Sequence, residues 1–161
     1  MKLKIVDLKY QSEAISKTLD SVKNNKQDIA IEMETGTGKT FTYISTIFTL
    51  HKELGYSKFI IVVPRVAIKE GVAKTFEIFA EYFKDKYNNL SFYVNNYEKG
   101  KLNTIQNFIS SNDLQILILT KQSFDKETNI LRDKGRDELD KDRDKRDVML
   151  RNSWGYFVIF W

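Results

Sequence analysis

Between residues 28 and 54 the chain passes from an apolar-rich run, Asp28 to Met33, through Glu34-Thr35-Gly36-Thr37-Gly38-Lys39-Thr40 and into a strongly helical pattern. This order constrains the fold more than any other feature. Two glycines at alternate positions let the backbone turn tightly, so that successive N–H groups converge at a helix N-terminus whose dipole favours anions. The segment therefore reads as a phosphate-binding loop. Thr35, Gly36, Thr37 and Gly38 supply the cradle, Lys39 reaches the outer phosphates, and Thr40 offers its hydroxyl to a Mg2+ ion bridging them. The full G-x-x-x-x-G-K-[ST] pattern wants glycine where Met33 stands, so the match is to the shorter G-x-G-K-T form. The plain alternative is a glycine turn with a chance lysine, which the strand, loop and helix order disfavours.

At 161 residues, 42% hydrophobic and 13% aromatic, the chain has enough apolar material for one core. It contains no cysteine, which removes any disulfide framework or thiolate metal site. The single histidine, His51, follows an apolar helical stretch and is most simply a surface residue. The first residues lack the apolar core of a signal peptide, and no uncharged apolar run approaches membrane-spanning length, so a cytoplasmic location is expected. A net charge of +4 with 30% charged residues is compatible with a polyanionic partner without demanding one.

Tyr10, Ala14, Ile15, Leu19 and Val22 recur at helical spacing and predict an amphipathic helix that Asn24-Asn25 ends. Ile29 to Met33 is expected to form the strand feeding the loop. From Lys39 onward Phe41, Tyr43, Ile44, Ile47, Phe48, Leu50 and Leu54 predict a largely buried helix, closed by Gly55. Lys58 to Val63 is a continuous β-branched run of the kind found when both faces of a parallel strand are covered, and Pro64 stops it. A helix over Ala67 to Tyr82, a short strand over Leu90 to Val94, a helix over Lys101 to Ser110 and a strand over Leu114 to Leu119 follow. Strands alternating with helices imply a doubly wound, mostly parallel α/β sheet with its ligand crevice at the strand C-terminal ends. From Arg132 to Arg151 acids and bases interleave almost residue by residue, which predicts a solvated helix or a disordered excursion. The acids there cancel most of the positive field, which disfavours a nucleic-acid arm. The last run, Tyr156 to Phe160, has strong strand propensity.

Four stretches carry a resemblance: Leu8-Lys9-Tyr10-Gln11; Met33 to Thr40; Ile61-Val62-Val63-Pro64-Arg65-Val66-Ala67-Ile68-Lys69-Glu70-Gly71-Val72; and Leu119-Thr120-Lys121-Gln122-Ser123-Phe124 with Asp125 to Ile130. In this order and spacing they resemble the first RecA-like domain of superfamily-two helicases. Within that group they resemble the restriction (Res) subunit of type III restriction-modification enzymes, from about residue 5 to about residue 131. The resemblance implies a RecA-like P-loop NTPase fold using ATP and Mg2+. It implies that the Gln11 amide, with one donor and one acceptor, bonds the adenine edge, where the plain reading is a polar helix-start residue. Pro64 to Lys69 looks like the helicase motif that holds nucleic-acid phosphates, making Pro64, Arg65 and Lys69 candidate DNA contacts; the plain reading is a turn with two solvated cations. Thr120 corresponds to a second such motif. The implied partners are double-stranded DNA and a modification (methyltransferase) subunit, with ATP hydrolysis coupled to movement on DNA and its cleavage.

The same resemblance predicts an Asp-Glu pair after another apolar strand, to hold magnesium through water and orient the attacking water molecule. Tyr156 to Phe160 is the natural candidate strand, and only Trp161 follows it; Asp142 and Asp144 follow no apolar strand. A second RecA-like domain and a nuclease domain are also missing. The expectation is an N-terminal fragment of a Res subunit, with an ATP-binding domain over 1–131, a mixed-charge segment over 132–151 and a terminal apolar strand over 152–161. A catalytically inactive nucleotide-binding remnant is the second reading. A small P-loop metabolite kinase is the third, disfavoured because about thirty residues precede the loop and the charged segment is too weakly basic for a lid.

Overall fold

The structure, a computed structural model, describes residues 8–26, 29, 31–34, 36–125 and 156–160. Thr35 and the mixed-charge segment 132–151 lie outside the described residues, and so do residues 126–131, at the end of the fourth stretch of the resemblance. The chain is α/β, with a four-stranded, all-parallel sheet flanked by helices, consistent with part of a RecA-like fold. It divides into two compact units, residues 1–55 with 78–90 and residues 56–77 with 91–161.

In the first unit, α1 (Lys9–Lys23) packs on α2 (Lys39–Leu54). The buried stripe of α1 is Gln11, Thr18 and Val22, with Tyr10 left 44% exposed. A polar stripe survives because its groups are bonded: Thr18 Oγ1 donates to the Ala14 carbonyl, 2.8 Å away. Asn25, at φ +57°, turns the chain out of the helix. α2 is buried at every position from Thr42 to Phe48, and three of its threonine hydroxyls are satisfied within the helix. Thr42, Thr46 and Thr49 each donate to the carbonyl one turn back, at 3.0, 2.9 and 2.9 Å. Gly55, at φ +76°, caps it as expected. Aromatic rings complete this core, with Phe48 stacked on Phe83 at 4.6 Å and on Tyr87 at 5.2 Å.

The expected strand over Ile29 to Met33 is not found: Ile29 and Ile31–Glu34 belong to no strand. A central parallel strand needs apolar side chains on both faces, and here Glu32 interrupts the run and stays exposed beside an exposed Ile31.

The second unit holds the sheet, in the order β2 (Phe92–Asn96), β3 (Leu114–Thr120), β1 (Lys58–Val63), β4 (Tyr156–Phe160). Every β1 residue is buried, and β3 is buried from Leu114 to Leu119, which is why both read as unbroken apolar runs. The terminal run is thus a sheet member, pairing with β1 from Lys58↔Tyr156 to Val62↔Phe160. α3 (Val66–Lys86) leaves the turn after β1, and α4 (Leu102–Ser110) packs on β3 through Ile105 and Phe108.

Candidate nucleotide-binding site

The loop enters α2 through two left-handed glycines, Gly36 at φ +83° and Gly38 at φ +81°. Side chains rarely adopt this backbone, so glycine is required twice within three residues. Gly38 is also crowded: a Cβ there would stand 2.6 Å from Gln11 Nε2. The loop is pinned from α1 through one atom. The Thr37 carbonyl accepts from Gln11 Nε2 at 3.1 Å and from the Tyr10 hydroxyl at 3.2 Å. Thr37 in turn closes the bend by donating its N–H and its hydroxyl to the Glu34 carbonyl, at 3.3 and 2.5 Å.

Gly38 is the N-cap of a sixteen-residue helix with no side-chain cap and no acid in its first turn. The first N–H groups of α2 therefore have no internal acceptor of the usual kind, and they add to the positive end of the helix dipole. An anion answers both. Lys39 and Thr40, both half-buried, are the first two residues of that helix. Gly36, Thr37, Gly38, Lys39 and Thr40 thus stand together at the start of α2, at the positive end of its dipole. Among the described residues no group of three His, Cys, Asp or Glu could hold a metal ion. A cleft of about 500 Å³ adjoins the loop, lined by Tyr10, Glu13, Lys17, Met33, Glu34 and Thr37 among others.

Gln11 is 6% exposed and committed at both ends, its Oε1 accepting from the Leu8 N–H at 3.2 Å and its Nε2 held by Thr37. By count one N–H and one lone pair remain. Tyr10, 44% exposed, donates its hydroxyl to the loop. Tyr43 lies one turn into α2 and is 6% exposed. Burial pushes its phenol well above the usual tyrosine range, an effect the nearby Thr40 hydroxyl partly opposes.

The other candidates belong to the second unit. Val63 pairs with Thr120, so Pro64 and Arg65 leave the sheet at the same C-terminal edge as Thr120. Pro64 and Arg65 are exposed. Thr120 is engaged internally: its Oγ1 accepts from the Ser123 N–H at 3.3 Å and donates to Ser123 Oγ at 3.1 Å, capping the helical residues 121–125. Lys69 is not a solvated cation. It is 6% exposed, its Nζ donates to the Tyr97 carbonyl at 2.7 Å, and Glu70 Oε1 is 3.8 Å away. The signal for this was present, since Lys69 stands three and seven residues before Val72 and Phe76 and so in phase with the buried stripe of α3. Lys58 is likewise buried, donating to the Ser111 carbonyl, and burial lowers its ammonium below the usual lysine range against a smaller opposing pull from Asp113.

Among the described residues no helix is long and apolar enough to cross a membrane. The chain is 46% identical over 80 residues to the type III restriction-modification enzyme EcoP15I Res subunit of Escherichia coli, covering 48% of this chain and 8% of that protein. It is 47% identical over 75 residues to the EcoPI Res subunit of Escherichia phage P1, covering 43% of this chain and 8% of that one. Over 68 residues it is 43% identical to the StyLTI Res subunit of Salmonella typhimurium, covering 41% and 7%. The aligned stretches thus span less than a tenth of the length of these relatives. No solved structure matches the chain. The family model for the type III restriction enzyme, res subunit, matches residues 4–159, and the chain belongs to that family.

Proposed function

We propose that this chain is the ATP-binding part of a type III restriction Res subunit, with Thr35 to Thr40 holding the nucleotide phosphates and Thr40 contributing to a Mg2+ site. The observation that carries the reading is Gly38: a left-handed, Cβ-intolerant N-cap that opens an uncapped helix beginning Lys39-Thr40. When bound, ATP with Mg2+ would supply the phosphoryl group whose hydrolysis drives the family's work. This chain's own residues bind and orient it. The α2 N-terminus and Lys39 neutralise phosphate charge, and Gln11 and Tyr10 keep the loop in shape through Thr37. The free donor and acceptor on Gln11 suit an adenine edge.

On the second unit, the exposed Arg65 beside Pro64 is the proposed contact to the phosphates of double-stranded DNA. Lys69 and Thr120 support that edge from within. In this reading the partners are duplex DNA and a modification (methyltransferase) subunit, in the cytoplasm, with ATP hydrolysis coupled to translocation and cleavage in the whole protein. A fluorescent-ATP titration with Mg2+, beside a phosphate-release assay with and without duplex DNA, tests it. The expected result is saturable binding that Lys39→Ala abolishes without loss of the fold; unchanged affinity in that variant would remove the loop as the site.

A further inference from the structure

Tyr10 and Gln11 are consecutive residues at the start of α1, and both end on one atom of the phosphate loop. The Thr37 carbonyl oxygen accepts from the Tyr10 hydroxyl at 3.2 Å and from Gln11 Nε2 at 3.1 Å. A carbonyl oxygen has two lone pairs, so these two donors fill it. The Thr37–Gly38 peptide is trans, since no cis peptide occurs among the described residues, and the C=O and N–H of a planar trans peptide point to opposite sides. Drawing the Thr37 oxygen onto α1 therefore turns the Gly38 N–H away from α1. That N–H stands just before the first turn of α2, where the helix dipole favours an anion.

Gly38 would not keep this orientation unaided. It stands at φ +81° without a Cβ, and glycine takes left- and right-handed backbone about equally, so the peptide plane between residues 37 and 38 can turn over at little steric cost. Turned over, it would lose both bonds to α1 and present an oxygen where phosphate oxygens must come. A loop that holds its binding-competent shape only part of the time binds with an affinity reduced by that fraction. We propose that Tyr10 is a positioning residue of the phosphate loop: with Gln11 it locks the Thr37–Gly38 peptide, so that the Gly38 N–H is presented to the phosphates before they arrive. The inference rests on the reading of this loop as an ATP site. It assigns the work to the Tyr10 hydroxyl and not to the ring, and to the phosphate end of the ligand and not to the base.

The test uses inorganic triphosphate, which has no base, titrated into the whole chain by calorimetry beside ATP. The proteins are the unaltered chain, Tyr10→Phe, Gln11→Ala and the double variant, each shown folded at the assay temperature by circular dichroism. Phenylalanine keeps the ring and removes only the donor. The expected result for Tyr10→Phe is triphosphate and ATP weakened by the same factor, about threefold. The double variant should lose more triphosphate affinity than the product of the two single losses, because either donor alone still holds the carbonyl and only the loss of both frees it. Structural damage at two independent positions would simply multiply. Unchanged triphosphate affinity in Tyr10→Phe, a loss for ATP alone, or single losses that multiply overturns the inference while leaving the ATP site standing. If Gln11→Ala does not fold, the two ligands on Tyr10→Phe decide the matter by themselves. If the unaltered chain binds neither ligand, the ATP reading fails and this inference with it.

Discussion

Lys69 Nζ donates to the Tyr97 carbonyl at 2.7 Å from a side chain that is 6% exposed, while Arg65, one turn earlier, faces solvent. The neighbouring residues repeat the link, with Asn96 Nδ2 donating to both Glu70 oxygens at 3.3 and 3.4 Å. Two adjacent residues of α3 are thus tied to the end of β2, and the Tyr97 N–H continues the sheet by donating to the Ile118 carbonyl at 2.9 Å. Two cations four residues apart thus have different surroundings, one exposed and one buried.

Lys69→Ala should therefore cost about 1–3 kcal/mol in urea unfolding, because it leaves the Tyr97 carbonyl without its donor. Arg65→Ala should change stability by less than about 0.5 kcal/mol while weakening duplex DNA binding and lowering the salt slope by about one. Stability effects of equal size in the two variants would contradict the division.

Gly36→Ala and Gly38→Ala share a left-handed backbone, which costs roughly 1–2 kcal/mol with a side chain present. Only Gly38 adds a collision, with Gln11 Nε2 at 2.6 Å, so its alanine variant should also release Thr37 and lower ATP affinity by about tenfold beyond the Gly36 variant. Combining Gly38→Ala with Gln11→Ala should be clearly non-additive in binding. Additive losses would show that the two residues do not share the loop.

Thr120→Ala should cost about 1 kcal/mol through loss of a helix cap, with Thr120→Ser restoring most of it. DNA affinity at constant salt should stay within about twofold, since the hydroxyl is engaged with Ser123. A large, salt-dependent DNA defect with unchanged stability would return Thr120 to the nucleic-acid surface.

The alkaline limb of stability should separate two buried groups. The Tyr43 phenol titrates higher in the folded chain than in the unfolded one, so above about pH 10 the folded state holds the extra proton and stability falls as pH rises. Lys58 has the opposite sign: its folded ammonium is lowered, the unfolded chain binds the extra proton, and stability rises with pH as 10.5 is approached from below. Tyr43→Phe should remove the fall and Lys58→Met the rise, both read from denaturant midpoints across the pH series. Parallel curves for all three proteins would contradict both assignments.

The pattern of residues announced β1 and β3 because their strands are buried on both faces and must be apolar throughout. It announced α2 and its Gly55 cap for similarly local reasons. The run at 29–33 misled, since an apolar-rich stretch carries strand propensity whether or not a sheet receives it, and Glu32 and Glu34 stay exposed. At the candidate site, Gly36, Gly38, Lys39 and Thr40 were legible because a left-handed turn at a helix start limits which residues can stand there. Lys69 was expected as a DNA-phosphate contact, with a solvated cation as the plain alternative; its phase with Val72 and Phe76 pointed inward, where it is buried.

Backbone chemistry and hydrophobic period are local properties, so the buried strands β1 and β3, the helix α2 and the left-handed glycines at its start follow from the residues in line. Which donor meets which acceptor across long stretches of chain is not local. Gln11 and Tyr10 on the Thr37 carbonyl, Lys69 on Tyr97 and β4 beside β1 arise from packing that brings distant segments together. Only the folded chain decides them, because a buried polar group takes whatever partner the surrounding core leaves within reach.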